Sequence, residues 1–150
     1  MPTNENNEYV NKRNFFRVYL RTPLCAEISI ISVNGKSVKT KPSNICILDI
    51  GIGGVKFRSK LKLPIGNNVL YEFKMKFLHT NYSFDGTIVR NIENDTGEIF
   101  YGAAFIIMED YTSNYFKALN DLALVIKRNI SDHGCEFCEP QKCPIKSNKN

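Results

Sequence analysis

Two short motifs in the N-terminal half carry side chains that could bind an anionic ligand containing a ring. The first is Arg13-Asn-Phe-Phe-Arg17, and the second is Asp49-Ile-Gly-Ile-Gly-Gly54. Arginine makes paired hydrogen bonds with phosphate, or with O6 and N7 of guanine. Aspartate accepts hydrogen bonds from the N1–H and N2–H₂ donors of guanine, and glycines allow close approach of the backbone. These groups suit a small, doubly charged ligand that contains guanine, and they are typical of a binder rather than a catalyst.

Each motif also has a simpler interpretation when it stands alone. Two arginines can be a solvated charge pair, and the glycine-rich segment can be a tight turn in which Asp49 caps its own backbone. Phe15 and Phe16 suit the anchoring of the preceding segment better than the stacking of a base. The binding hypothesis therefore depends on both motifs occurring in this order, on either side of a first hairpin.

The bulk composition indicates one ordinary globular domain. The chain has 150 residues, of which 43% are hydrophobic and 23% charged, and it has no apolar stretch of membrane-spanning length and no signal peptide. These features favour a cytoplasmic protein. Residues 1–76 contain 13 Lys and Arg against 5 Asp and Glu, whereas residues 77–150 contain 7 against 10. The basic half contains both motifs and would attract anions.

The hydrophobic pattern predicts a small antiparallel barrel. Asn34-Gly35 is a strong signal for a hairpin turn, and Asn94 to Gly97 is a second turn. About six alternating or β-branched segments are separated by such turns. The predicted strands are 23–33, 45–50, 55–57, 69–78, 82–92 and 99–108.

A change of period after the last strand predicts one amphipathic helix that packs its apolar face on the barrel, with Asp110 or Ser113 as its N-cap. The apolar positions at helical spacing are Tyr115, Phe116, Leu119, Leu122, Ala123 and Ile126. We expect residues 1–11 to be a flexible arm, residues 12–130 to be the domain, and residues 131–150 to be a cysteine-rich, disordered tail. The predicted fold is thus mostly β, a six-stranded antiparallel barrel with a C-terminal helix.

These motifs resemble those of the PilZ family of cyclic di-GMP receptors. That family is recognised by Arg-x-x-x-Arg before the first barrel strand and by (Asp/Asn)-x-Ser-x-x-Gly after the second. The segments FDGTIVR at 84–90 and YGAAF at 101–105 are similar to its later strands. The resemblance covers about residues 12–129 and implies the same six-stranded barrel and closing helix, with the ligand lying on the barrel surface.

The resemblance also implies a set of ligand contacts. Arg13 and Arg17 would contact phosphate and guanine, Asp49 would contact a guanine edge, and Lys12 would be a further phosphate contact. The turn from Gly51 to Gly54 would accommodate the base. Gly51 stands where the family pattern has serine. The missing hydroxyl removes one neutral hydrogen bond, worth about 0.5–1.5 kcal/mol, so we expect weaker binding rather than none.

The C-terminal tail contains four potential zinc ligands within eleven residues, but their spacing is not that of the usual two-knuckle site, which separates its ligand pairs by a longer loop. We therefore expect no cofactor, and a disordered tail rather than a metal module. Cys25 and Cys46 fall in predicted strands and are expected to be small buried residues. The four candidates in the tail are His133, Cys135, Cys138 and Cys143.

No catalytic constellation is evident. The chain has only two histidines, His79 and His133, and it has no phosphate-binding loop or dinucleotide fingerprint. The leading hypothesis is a non-catalytic adaptor in which cyclic di-GMP, held by Arg13 and Arg17, orders the N-terminal arm and presents a surface to an unidentified protein partner. The alternatives are a PilZ-like interaction module that has lost the nucleotide, and a small basic barrel that binds single-stranded nucleic acid.

Overall fold

Seven strands and one helix make up the described part of the chain. A computed structural model of the protein describes residues 17–93, 95, 97–106 and 109–128, together with the side chains of these residues except 109–113. The predicted arm and tail lie outside these ranges. The elements are β1 Arg17–Val33, β2 Lys36–Ser37, β3 Ser43–Gly51, β4 Gly54–Ser59, β5 Val69–Phe77, β6 Thr80–Glu93, β7 Ile99–Ile106 and α1 Glu109–Lys127.

The strands form a closed antiparallel barrel. Their order is β2-β1-β3-β4-β7-β6-β5, and β1 also pairs with β5, which closes the sheet on itself. β2 has only two residues and pairs with the end of β1 alone, so six strands form the wall. Closure leaves no exposed edge in the barrel proper. The predicted six-stranded barrel with one C-terminal helix is confirmed.

Alternation along the strands fills the barrel with large side chains. The predicted inward face of β5 is confirmed, since its residues are at most 5% exposed: Val69, Tyr71, Phe73, Met75 and Phe77. Phe57 lies edge-on to Phe73, at 5.7 Å between ring centroids, and is stacked on Tyr101 at 5.1 Å. Such ring contacts add directional packing to the burial of apolar area.

Two buried tyrosines fasten the loop between β4 and β5. The hydroxyl of Tyr101 donates to the Leu61 carbonyl at 2.7 Å and accepts from the Leu63 N–H at 2.8 Å. The hydroxyl of Tyr71 donates to the Pro64 carbonyl at 2.7 Å. Burial raises the pKa of both phenols, so both remain protonated donors.

One turn confirms a prediction from the sequence, and a second turn was not predicted. Asn34 and Gly35 have φ of 51° and 81°, as a tight hairpin between β1 and β2 requires. β5 ends at Phe77, one residue earlier than predicted, because Leu78 and His79 form the turn to β6 with φ of 54° and 65°. Neither residue is a typical turn former.

The helix packs through the predicted stripe with one exception. Tyr115, Leu119 and Leu122 are fully buried, and the ring of Tyr115 lies 4.6 Å from that of Phe84 in β6. Phe116, which we expected on the apolar face, is 43% exposed. It directly follows Tyr115 and is therefore rotated by about 100° around the helix axis. No helix in the part of the chain that the structure describes is long and apolar enough to cross a membrane.

Candidate functional site

An ion pair joins the two sequence motifs on the outer face of the barrel. Arg17 begins β1, opposite Gly51 in β3. Its Nε donates to Oδ1 of Asp49 at 3.0 Å, and its Nη2 donates to the same oxygen. The Arg17 side chain is 34% exposed and that of Asp49 is 10% exposed. The structure thus brings together two predicted site residues that are 32 positions apart in sequence.

A β-bulge directs Asp49 to the outer face. Ile47 lies opposite Phe57, and both are fully buried in the core. Two residues later Asp49 would normally share that inward face, but the register shifts and pairs it with Lys56 on the outside. Leu48 is the extra residue in β3. Bulges commonly re-aim a side chain beside a functional site, and this one keeps a carboxylate out of the apolar core.

The glycine-rich segment after Asp49 is attached to the helix and to β7. The buried hydroxyl of Tyr115 in α1 donates to the Gly51 carbonyl at 2.9 Å. The backbone N–H of Phe105 donates to the Gly53 carbonyl at 2.8 Å. These two bonds hold the turn from both sides. Sequence reasoning assigned Tyr115 to the core only, because its helical spacing carries no information about its hydroxyl.

Gly54 allows a close approach of neighbouring strands. A Cβ added at this position would lie 1.9 Å from the carbonyl oxygen of Ala103 in β7. A positive φ does not explain this glycine. Among the described glycines, positive φ occurs at Gly35, Gly66 and Gly97 and not in the segment from Gly51 to Gly54. The packing of β4 against β7 therefore accounts for a glycine at position 54.

A comparison with protein families matches the PilZ domain over residues 11–122, which is most of the chain. The chain belongs to the PilZ family. This is a family of non-catalytic cyclic di-GMP receptors, so the predictions of the family and of a non-catalytic protein are confirmed. Both motifs that suggested the resemblance fall inside the matched range.

Solved structures of PilZ proteins share the fold. The Klebsiella pneumoniae MrkH–c-di-GMP complex has 21% identity and a TM-score of 0.56, with 78% of this chain and 54% of that chain covered. The Bacillus subtilis inhibitor of motility MotI/DgrA has 10% identity and a TM-score of 0.56, with coverage of 80% and 53%. The c-di-GMP-bound PilZ domain of Escherichia coli YcgR has 11% identity and a TM-score of 0.50, with coverage of 79% and 93%.

The PilZ chain spans about half the length of MrkH and of MotI, so the resemblance concerns one part of each of those proteins. At these identities the likeness establishes the fold alone. No curated protein matches the sequence significantly.

Several predicted site residues of this PilZ protein lie outside the described ranges. Lys12 and Arg13 precede residue 17, the first that is described. Within the described ranges, no cluster of three or more His, Cys, Asp or Glu could hold a metal ion. The candidate zinc ligands of the tail also lie outside: His133, Cys135, Cys138 and Cys143.

A cavity of about 470 Å³ has neither Arg17 nor Asp49 in its lining. Its lining includes Cys25, Glu27 and Lys74. Cys46 is buried as expected, whereas Cys25 is only partly buried because it faces this cavity. The cavity and the motif residues do not coincide, and the motif residues carry the anion-binding chemistry, so the outer face at Asp49 is the better candidate site.

Proposed function

We propose that this PilZ domain is a cytoplasmic, non-catalytic receptor that binds cyclic di-GMP on the outer face of the barrel around Arg17 and Asp49. The observation that carries the proposal is the ion pair between these two residues, which joins both motifs in one place. Family membership supports it, as do the c-di-GMP complexes of MrkH and YcgR, which have the same fold.

The ion pair suits guanine recognition because each partner keeps unused hydrogen-bonding groups. One oxygen of Asp49, Oδ1, accepts both bonds from Arg17. Within the described part of the protein, Oδ2 accepts no hydrogen bond, so it can accept from the N1–H or N2–H₂ of a guanine. The remaining N–H groups of Arg17 can donate to guanine O6 and N7 or to a phosphate oxygen. Pairing before binding also reduces the entropy lost on binding.

The N-terminal arm supplies positive charge that the neutral Arg17–Asp49 ion pair does not. Because Asp49 neutralises Arg17, the positive charges that attract the two phosphates are those of Arg13 and Lys12, which precede Arg17 in sequence. On binding, these residues would be drawn to the phosphates and would order the arm over the barrel. The ordered arm would then present a surface to a protein partner, and the segment from Gly51 to Gly54 would lie beside the base.

Isothermal titration calorimetry of the intact protein with cyclic di-GMP tests the proposal. We expect measurable binding that is lost in Arg13→Ala and in Arg17→Ala, since each removes charge-assisted hydrogen bonds. Arg21→Ala is the matched control, because Arg21 is an exposed arginine on the same strand and its guanidinium, among the described residues, hydrogen-bonds only the Ile126 carbonyl, at 3.5 Å. Unchanged affinity in both Arg13→Ala and Arg17→Ala would show that the site is elsewhere.

A second candidate function is a PilZ interaction module that binds no nucleotide. The observation favouring it is Gly51, which lacks the serine hydroxyl of the family pattern and whose carbonyl already accepts from Tyr115. Titration of the unmodified chain with cyclic di-GMP up to high micromolar concentrations separates the two functions. No heat in that titration, together with binding regained in Gly51→Ser, would favour the module.

A further inference from the structure

One row of residues crosses five strands of the barrel at the level of Asp49. Tyr19 in β1 lies opposite Asp49 in β3, and Asp49 lies opposite Lys56 in β4. Lys56 lies opposite Gly102 in β7, which lies opposite Arg90 in β6. Residues directly opposite one another in a sheet share a face. The row therefore runs along the outside of the barrel and joins the ion-pair site to two further basic side chains.

A second β-bulge brings Arg90 into this row. Ile88 and its partner Ala103 face inward and are 0% and 8% exposed. Without a bulge, the residue two positions after Ile88 would also face inward. The register shifts between Ile88 and Arg90, with Val89 as the extra residue, and Arg90 faces outward opposite Gly102. Bulges in β3 and β6 thus direct one charged side chain each to the same row of the outer surface.

Gly102 keeps the surface between the two cations flat. A Cβ at this position would lie 2.8 Å from Nε and 3.2 Å from Cγ of Arg90, so the arginine side chain lies across the bare backbone of β7. Lys56 approaches from the other side, where its ammonium group is 5.9 Å from the ring centroid of Phe100. No side chain from position 102 separates Lys56 from Arg90.

The two cations are not neutralised by the described residues. Arg17 forms an ion pair with Asp49, whereas Lys56 and Arg90 have no carboxylate within ion-pair distance in the described part of the barrel. The site next to Asp49 is therefore electrically neutral, and the positive charge begins one strand further along the row. A ligand with two negative charges is attracted to that part of the row.

We propose that Lys56 and Arg90 form a second subsite, which binds one guanylate half of cyclic di-GMP while Arg17 and Asp49 bind the other half. This inference rests on the proposed function. The backbones of Asp49 and Arg90 are three strands apart, about 14 Å, and the Arg90 side chain shortens that gap because it lies back over Gly102. Arg90 donates to phosphate or to guanine O6 and N7, and Lys56 supplies a point charge for phosphate.

Calorimetric titration of the full-length protein with cyclic di-GMP tests the subsite, with Arg90→Gln and Lys56→Gln as the variants. Each removes a charge-assisted contact, so we expect affinity to fall about ten- to a hundredfold for Arg90→Gln and about tenfold for Lys56→Gln. The matched controls are Arg128→Gln and Lys36→Gln, which remove the same charges from exposed positions outside the row. These controls should change affinity by less than about threefold, the part that net charge alone contributes.

Two further measurements separate ligand contact from structural effects. The melting temperature of Arg90→Gln without ligand should equal that of the unmodified protein, because Arg90 is exposed. Arg90→Lys retains the charge and should recover part of the affinity, but not the bidentate contact.

The outcomes distinguish the subsite from the proposed function. If the unmodified protein binds and Arg17→Ala does not, but Arg90→Gln and Lys56→Gln bind like their controls, the second subsite is wrong and the receptor function stands. If the unmodified protein does not bind cyclic di-GMP at all, both are overturned. A loss of affinity accompanied by an equal loss in both charge controls also overturns the subsite, since net charge then explains the effect.

Discussion

The Arg17–Asp49 ion pair should show an asymmetric effect on stability when either residue is removed. The asymmetry follows from burial: the Asp49 side chain is 10% exposed and that of Arg17 is 34% exposed. Arg17→Ala leaves a largely buried carboxylate without its two donors, which is costly. Asp49→Ala leaves a guanidinium that water can reach, which costs little.

These contacts set the expected loss of unfolding free energy in each variant. Hydrogen bonds to charged groups contribute about 1.5–3 kcal/mol each when buried, and the partial exposure of Arg17 reduces that value. We therefore expect Arg17→Ala to lower the free energy of unfolding by about 2 kcal/mol and Asp49→Ala to lower it by about 1 kcal/mol or less. For a domain of this size these losses correspond to about 8 °C and about 4 °C in melting temperature.

The assay is thermal unfolding without ligand, on both single variants and the double variant. The double variant also removes the Asp49 carboxylate that Arg17→Ala leaves unpaired. Its melting temperature should therefore equal or exceed that of Arg17→Ala, with a coupling energy of about 1–2 kcal/mol. Arg21→Ala, the exposed control on the same strand, should change stability by less than about 0.5 kcal/mol. Equal single losses that add in the double variant would refute the reasoning, since the two side chains would then be energetically independent.

Three further predictions concern the elements around the site. Tyr115→Phe removes the hydroxyl that holds the Gly51 carbonyl and should cost about 1–3 kcal/mol by chemical denaturation; an unchanged midpoint would contradict it. Gly54→Ala places a Cβ against a carbonyl of β7 and should cost at least about 1–3 kcal/mol, with Gly53→Ala, where an added Cβ meets nothing within 4 Å, as the milder control. Partial desolvation of this exposed side chain, and then the charge of Glu72, raise the pKa of Asp85 in the folded state. Because the raised pKa means that ionising Asp85 costs stability, stability is lost as pH rises through the folded-state pKa. Asp85→Asn should therefore raise the melting temperature by about 1–4 °C near pH 7 and not near pH 3; a gain that does not depend on pH would contradict this.

Local patterns predicted the architecture well because strand and helix periodicity reflect which face is buried. The alternation from Val69 to Phe77 marked one inward face, and the closed barrel buries that face. Asn34-Gly35 marked a turn through its conformational preference. The turn at Leu78 and His79 was not predicted, because pairing of the strands on either side imposes positive φ on residues that do not favour it.

Both charged motifs were recognisable from residue types and spacing alone, and so was the family that they indicate. The sequence by itself determined the barrel, its closing helix and the presence of the Arg-x-x-x-Arg and Asp-x-Gly-x-x-Gly motifs, because these depend on the side chains of each segment. It did not determine which charges face one another. Strand pairing brings Arg17 to Asp49 across 32 positions, and two bulges turn Asp49 and Arg90 to the outer face. Bulges depend on the register of neighbouring strands, so only the tertiary structure decided where the cations of the outer surface lie.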